Sequence, residues 1–256
     1  MRILLFGDVV GRCGRTVLMK YLPKTKAHFE ADFCVANAEN AAGGSGLTVE
    51  IAKELLAGGV DVITLGDHAF RQKDYREMLS LNRIVRPANA ITSDVGVGFL
   101  ETKWKNVDVA VINLQGQTFM QPSQNPFVEV DRILEQVKSK VIIVDFHAEA
   151  TSEKIAMGHH LNGKVSVLVG THTHVQTADA KTLHHGTAYL TDLGMVGPEE
   201  SVIGREIEPV LEHFITGLPQ KFHVADGPCQ VSGAVVEVDE NTGRAKDITT
   251  FSKILE

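Results

Sequence analysis

Cysteine is scarce in this chain of 256 residues, and what there is follows no pattern. Cys13, Cys34 and Cys229 contain no C-x-x-C pair, and an odd number closes no disulfide framework. Cys34 lies in an apolar run and reads as a buried small hydrophobe. An excess of positive charge is also missing: the formal net charge is −7, which argues against a general nucleic-acid binder or a membrane-surface protein. An anionic substrate stays open, because bound cations can reverse the local field. No apolar run reaches membrane-spanning length, and the opening Met1 to Phe6 meets Gly7-Asp8 too early for a signal-peptide core, so a reducing cytoplasm is the expected location. Gly11-Arg12-Cys13-Gly14-Arg15 lacks the Gly-Lys-Ser/Thr ending of a phosphate loop and is not read as one. Repeats, low-complexity tracts and linkers are absent too, and residues 1–256 read as a single domain.

What is present is an ordinary globular balance, 43% apolar and 22% charged. Six short apolar runs read as buried strands: Arg2 to Phe6, Phe33 to Ala36, Val60 to Leu65, Val107 to Leu114, Val141 to Phe146 and Val165 to Val169. Between them lie helical patterns. Thr48 caps one that Gly58-Gly59 ends, and others cover Asp74 to Leu81 and Phe127 to Val137. Thr151 or Ser152 is read as the cap of Glu153 to Leu161, and Ile207 to Ile215 is a late helix with Pro209 in its first turn. Gly96 to Trp104, Val231 to Val238 and Ala245 to Phe251 look antiparallel, the last two flanking a polar turn at Asp239 to Gly243, so a mixed sheet in an α/β fold is expected. The polar loop Gly116 to Pro126 carries Phe119 and Met120. It reads equally as a cover over a substrate or as a plain surface crossover.

The chemistry gathers where the strands end. Asp8 follows the first run, Glu39 and Asn40 the second, Asp67 and His68 the third, and His147 the fifth; His172 and His174 follow the sixth, in Gly170-Thr171-His172-Thr173-His174. In a largely parallel sheet, functional groups collect beyond the carboxyl ends of the strands. Carboxylate, amide and imidazole donors without thiolate suit first-row divalent ions such as Mn, Fe or Zn. The set exceeds what one four-coordinate ion needs, and two ions about 3.5–4 Å apart can clamp a phosphoryl group and generate a hydroxide nucleophile near neutral pH. Each residue has a plainer reading. Asp8 could cap a following helix, His147 could be a core histidine, and His-x-His on a strand merely puts two side chains on one face. The conjunction outweighs the parts. His159-His160 and His184-His185 read as surface.

The blocks Gly7-Asp8-Val9-Val10-Gly11, Asn37 to Gly44, Gly66-Asp67-His68-Ala69, Asp145 to Lys154 and Gly170 to Val175 together resemble the YmdB family of bacterial calcineurin-like metallophosphoesterases. The likeness runs on through Thr191-Asp192, Gly197-Pro198 and Ser201 to Gly204. It implies a metallophosphoesterase sandwich of two mixed sheets flanked by helices, four layers in αββα order, in one domain. It implies phosphodiester hydrolysis, with 2′,3′-cyclic nucleotides as substrates and two ions of iron or manganese, zinc or magnesium being the alternatives. By motif, Asp8, Glu39, Asn40 and His174 would hold one ion. Glu39, Asp67, His147 and His172 would hold the other, with Glu39 shared and His68 protonating the leaving oxygen. Where that family usually reads Gly-Asn-His, this chain reads Gly66-Asp67-His68, which keeps an oxygen donor and adds a negative charge. Rival readings are a phosphomonoesterase of the same superfamily and a regulatory or RNA-binding protein with residual activity. Strong nucleic-acid binding and a membrane partner are not expected; a homo-oligomer is the ordinary prior.

Overall fold

Alternation sets the layering. In β1 (Arg2–Phe6), Ile3 and Leu5 turn to one side and Leu4 and Phe6 to the other, and all four are buried, so this strand needs a cover on both faces. The computed structural model, which describes residues 1–92 and 94–255, supplies both covers. After β1 come β2 (Asp8–Val9), α1 (Gly11–His28), β3 (Phe33–Asn37), α2 (Val49–Ala57), β4 (Val62–Thr64), α3 (Tyr75–Leu79) and β5 (Ile84–Val85). The chain then forms β6 (Phe99–Trp104), β7 (Val107–Gln115), α4 (Pro126–Leu134), β8 (Val141–His147), α5 (Thr151–Leu161), β9 (Val167–Thr171), β10 (Lys181–Thr182) and β11 (Ala188–Leu190). It closes with β12 (Met195–Pro198), α6 (Ile207–Thr216), β13 (Cys229–Val238) and β14 (Ala245–Leu255).

Two mixed sheets result. In the first, β1, β3, β4 and β5 run parallel, while β13 pairs antiparallel with β1, β12 and β14. In the second, β7, β8, β9 and β11 run parallel and the antiparallel β6 and β10 form the edges. Ile3, Leu5, Val35 and Val62 meet Val109, Val111, Ile143 and Val167 between the sheets. Leu18 and Leu22 of α1, with Ala52 and Leu55 of α2, cover the outer face of the first sheet; Val130, Ile133, Met157 and Leu161 of α4 and α5 cover the second. The four-layer αββα sandwich is therefore built as the residue pattern requires.

Some local expectations are corrected. The long helix α1 is not marked in the sequence, because Pro23 stands inside it and only Gly11, Gly14, Leu18 and Leu22 are buried. Asp8 is not its cap; Val10 is, without a side-chain bond, and Asp8 lies in β2. Thr48 does cap α2, accepting from the Ile51 N–H at 3.3 Å. Thr151 is already helical and Ala150 occupies the cap position, again without a side-chain bond. Cys13 and Cys229 are joined as a disulfide between α1 and β13, so one pair closes despite the odd count, and Cys34 alone stays free and buried. Distance along the chain hides this pairing, which arises because α1 packs over β13.

One buried ion pair ties α5 to the loop after β11, which in turn holds the loop after β9. Lys154 Nζ reaches Asp192 Oδ2 at 2.7 Å with both side chains almost fully enclosed. The same oxygen accepts the Thr173 N–H at 3.2 Å and the Thr173 hydroxyl at 2.8 Å, while Asp192 Oδ1 accepts the Gly194 N–H at 2.8 Å. Lys154→Met should strand a buried carboxylate and cost about 3–5 kcal/mol, and pairing it with Asp192→Asn should recover part of that loss. Chemical denaturation of the two variants checks this; a single-variant loss below about 1 kcal/mol would contradict the expected role of the pair.

Candidate metal centre

Both sheets send their parallel strands toward the same end of the sandwich. There Asp8 follows β1, Glu39 and Asn40 follow β3, and Asp67 and His68 follow β4. His147 ends β8, and His172 and His174 follow β9. The structure brings all eight together. Glu39 is the hub. Its Oε1 lies 3.2 Å from His147 Nε2, 3.1 Å from Asn40 Nδ2 and 3.3 Å from His68 Nδ1, and its Oε2 accepts the His68 N–H at 3.1 Å.

To one side of Glu39 stand Asp67, His147 and His172. His147 Nε2 is 3.4 Å from Asp67 Oδ1 and 3.0 Å from His172 Nδ1. Glu39, Asp67, His147 and His172 can each present one ligand atom such that all four atoms lie within 4.8 Å of one another. Asp67 Oδ1 is enclosed and carries no hydrogen bond. An orphaned buried oxygen among imidazoles is what a cation site looks like when its donors are in place. To the other side, the Asn40 amide nitrogen is met by three acceptors: Glu39 Oε1, His174 Nε2 at 3.2 Å and Asp8 Oδ1 at 3.5 Å. Turning that carboxamide over would place a fourth donor atom there, an oxygen, without changing its shape.

Bonds outside the cluster orient its imidazoles. Thr171 Oγ1 donates to Asp145 Oδ1 at 2.7 Å and so accepts from His147 Nδ1 at 2.9 Å, which leaves His147 Nε2 facing Glu39 and Asp67. His174 Nδ1 donates to the Ile203 carbonyl at 2.8 Å, which turns Nε2 inward in the same way. His172 Nε2 lies 3.3 Å from the half-exposed Glu149. The two histidines of the His-x-His motif are not on a strand: β9 stops at Thr171, and His172 and His174 take φ values of 99° and 65°. This left-handed backbone is strained for such residues. Asp8 holds it by accepting the His172 N–H at 3.0 Å.

The charges are tightly linked. Burial lifts the Asp8 carboxyl to about 6 against the pull of His174 and His147. Burial also opposes a charge on Glu39, but the charge and hydrogen bond of His147 and the bond from His68 hold it well below the usual carboxylate range. Burial works against an imidazolium on His147, and Glu39 and Asp67 outweigh it, raising this group well above an ordinary histidine. Burial, then the neighbouring His147 charge, drives His172 down to about 3. At His68, burial is outweighed by the hydrogen bond and charge of Glu39, and the net shift is upward.

Several participants are not read from the sequence. Asp145 sits inside an apolar strand and accepts from Asn37 at 3.0 Å and from Thr64, and a carboxylate in such a run was the available signal. Arg205 bonds the carbonyls of Gly43 and Gly44, so a guanidinium of the chain itself makes the close approach these glycines permit. Arg15 bonds the Ala41 carbonyl and is engaged as a brace, and Arg12 is exposed.

Comparison with known proteins agrees with this architecture. The family model for YmdB-like proteins matches residues 4–251. A Bacillus subtilis (strain 168) protein named 2′,3′-cyclic-nucleotide 2′-phosphodiesterase is 43% identical over 251 residues, covering 97% of this chain and 95% of its own. A Mycoplasma pneumoniae structure described as a novel phosphatase superposes with a TM-score of 0.96 at 34% identity, covering 100% of this chain and 94% of its own. A Thermus thermophilus protein described as hypothetical gives a TM-score of 0.95 at 38% identity with 100% of both chains covered. By the extent of the family match and by identity sustained along nearly its whole length, the chain belongs to the YmdB-like family.

Proposed function

We propose that the protein is a single-domain, cytoplasmic phosphodiesterase that uses two divalent metal ions to hydrolyse 2′,3′-cyclic nucleotides or closely similar diesters. The observation that carries this reading is the convergence of seven carboxylate, amide and imidazole side chains around Glu39, with Asp67 Oδ1 left unsatisfied. Support comes also from the Bacillus subtilis relative, whose name gives that activity.

Asp8, Glu39, Asn40 and His174 would hold one ion, and Glu39, Asp67, His147 and His172 the other. The oxygen and nitrogen donor set suits manganese, iron or zinc, and the family resemblance implies iron or manganese, with zinc or magnesium as alternatives. Bound there, two such ions would supply Lewis-acid stabilisation of the phosphoryl oxygens and activation of water as nucleophile. His68 would move the proton to the leaving oxygen. Its Nδ1 is 3.3 Å from Glu39 Oε1, and its Nε2 lies 4.0 Å from Asp67 Oδ2, so the ring is oriented by the cluster while remaining partly exposed. In the metal-free chain the hydrogen bond and charge of Glu39 outweigh burial and shift the His68 pKa upward, which favours the protonated form an acid needs. As the water oxygen gives up a proton to solvent and bonds to phosphorus, the bond from phosphorus to one ribose oxygen breaks and that oxygen takes the His68 proton. The cyclic diester opens to a monoester and loses no fragment. Acting as a phosphomonoesterase is the second reading, favoured by the Mycoplasma pneumoniae relative described as a phosphatase. Rates on a nitrophenyl monoester against its bis-ester, beside a panel of cyclic nucleotides, separate the two.

His68→Ala should slow cyclic-nucleotide hydrolysis by about 10²–10⁴-fold and spare bis-nitrophenyl phosphate, whose leaving group needs no proton. Equal losses on both substrates in a steady-state comparison would remove His68 from the role of acid. Metal binding should release protons, because Asp8 titrates at about 6 and His147 is protonated above the ordinary histidine range in the metal-free chain. Manganese affinity should therefore fall as pH drops from 7 to 5; calorimetry showing no change over that range would count against Asp8 and His147 as ligands. Asp67→Asn removes a negative charge that opposes water ionisation and supports the His68 proton, so both limbs of the pH–rate profile should move to lower pH by about half a unit to one unit. An unmoved profile, or a uniformly slower variant, would refute that assignment.

A further inference from the structure

One aromatic ring at the metal-bearing end of the molecule has no packing role. Phe119 is 88% exposed, more than any other large hydrophobic among the described residues. Its φ is +62°, a left-handed conformation that a bulky residue adopts only at a cost. The loop that carries it is firmly built. Glu153 of α5 accepts the Gln117 N–H at 3.0 Å and the Thr118 N–H at 3.2 Å, immediately before Phe119. The Gln117 side chain bonds the Ser123 carbonyl at 2.8 Å, Gln115 bonds the Gln121 carbonyl at 3.0 Å, and Asn89 bonds the Gln124 carbonyl at 2.8 Å. An unfavourable exposed ring is thus held in a fixed position by polar bonds on both sides of it.

The loop that holds it starts beside the cluster. The loop leaves β7 at Gln115, which pairs with His147 across the sheet, and the Gly116 N–H donates to the His147 carbonyl at 2.9 Å. From Gln115 the chain can carry Phe119 no more than about 14 Å. A nucleotide whose phosphate lies at the metal centre must direct its base away from it. Every nucleobase offers a flat face to an aromatic ring, whatever its hydrogen-bonding pattern.

We propose that Phe119 is the platform on which the substrate nucleobase stacks, so that the loop from Gly116 to Pro126 confers preference for nucleotides over other phosphodiesters. This rests on the phosphodiesterase reading for its substrate and on the loop alone for its geometry. Phe119 is a specificity residue and takes no part in bond breaking.

The test uses the full chain loaded with manganese, with Phe119→Ala and Phe119→Trp beside the wild type. Adenosine 2′,3′-cyclic phosphate is compared with 1-O-methylribose 2′,3′-cyclic phosphate, which keeps the cyclic diester and lacks the base. Phe119→Ala should raise KM for the nucleotide by roughly 5- to 100-fold with little change in kcat, and leave both constants for the base-free diester unmoved. Phe119→Trp should restore the nucleotide KM. Equal losses on both substrates, or no loss on the nucleotide, would overturn the proposal. Calorimetric binding of adenosine 3′-monophosphate and ribose 5-phosphate gives a readout without turnover. If the wild type hydrolyses neither diester, the phosphodiesterase reading fails by itself. A wild-type preference for the nucleotide that Phe119→Ala abolishes would still sustain stacking, and absence of that preference would end it.

Discussion

A carboxylate cannot remain ionised in an enclosed interior without partners, and Glu39 is enclosed almost completely. The rest of this end of the molecule is organised around that demand. Glu39 keeps its charge because His147 and His68 face it, and His147 in turn holds its proton against burial because Glu39 and Asp67 face it. Remove the shared charge and each neighbour loses the reason for its protonation state. The same dependence makes the cluster suited to cations. Several acceptors are already desolvated and aimed at common points, so the cost of stripping them from water has been met in folding.

Two sheets are needed to assemble such a set. Asp8, Glu39, Asn40, Asp67 and His68 come from strand ends of the first sheet, and His147, His172 and His174 from the second. Between the sheets the contact is apolar for most of its depth, and it turns polar just beneath the cluster. There Asp145 of β8 accepts from Asn37 of β3 at 3.0 Å and from Thr64 of β4. Nearby, Asn113 of β7 accepts the Leu65 N–H at 3.3 Å. These bonds lock the stagger of one sheet against the other, which hydrophobic contact alone specifies weakly because it has no direction. Asp145 therefore links two functions: it fixes the sheets, and through Thr171 it sets the orientation of His147.

The legible part of this arrangement follows from strong periodic signals. Apolar runs that end in Asp, Glu, Asn or His are visible without coordinates, and all eight strand-end residues converge as that pattern implies. The four layers are legible too, since strands apolar on both faces must be covered on both. What escapes notice is whatever depends on distance through space or on weak local pattern. Cys13 and Cys229 are 216 positions apart, and only the packing of α1 over β13 joins them. The helix α1 buries too few apolar residues, and carries Pro23, so its pattern does not stand out. The left-handed turn through His172 and His174 is invisible because nothing in Thr171-His172-Thr173-His174 favours positive φ; the conformation is imposed by Asp8 and Asp192 from outside it.

That imposed turn also explains how an acidic chain can serve an anionic substrate. The protein as a whole is negative by seven charges, and Asp8, Glu39 and Asp67 add three of them at the cluster itself. Beyond the His68 proton, attraction for a phosphoryl group would then come from bound cations, two of which would leave the cluster with a small positive excess over its three carboxylates. Were His172 and His174 to follow β9 as an extended strand, their ring nitrogens would not both be directed to opposite sides of Glu39. On the proposed two-ion reading, one cation would then lack a donor. Backbone strain at these two residues, the buried Lys154–Asp192 pair that steadies Thr173 between them, and the placement of both imidazoles at the cluster are therefore consecutive links of one physical chain.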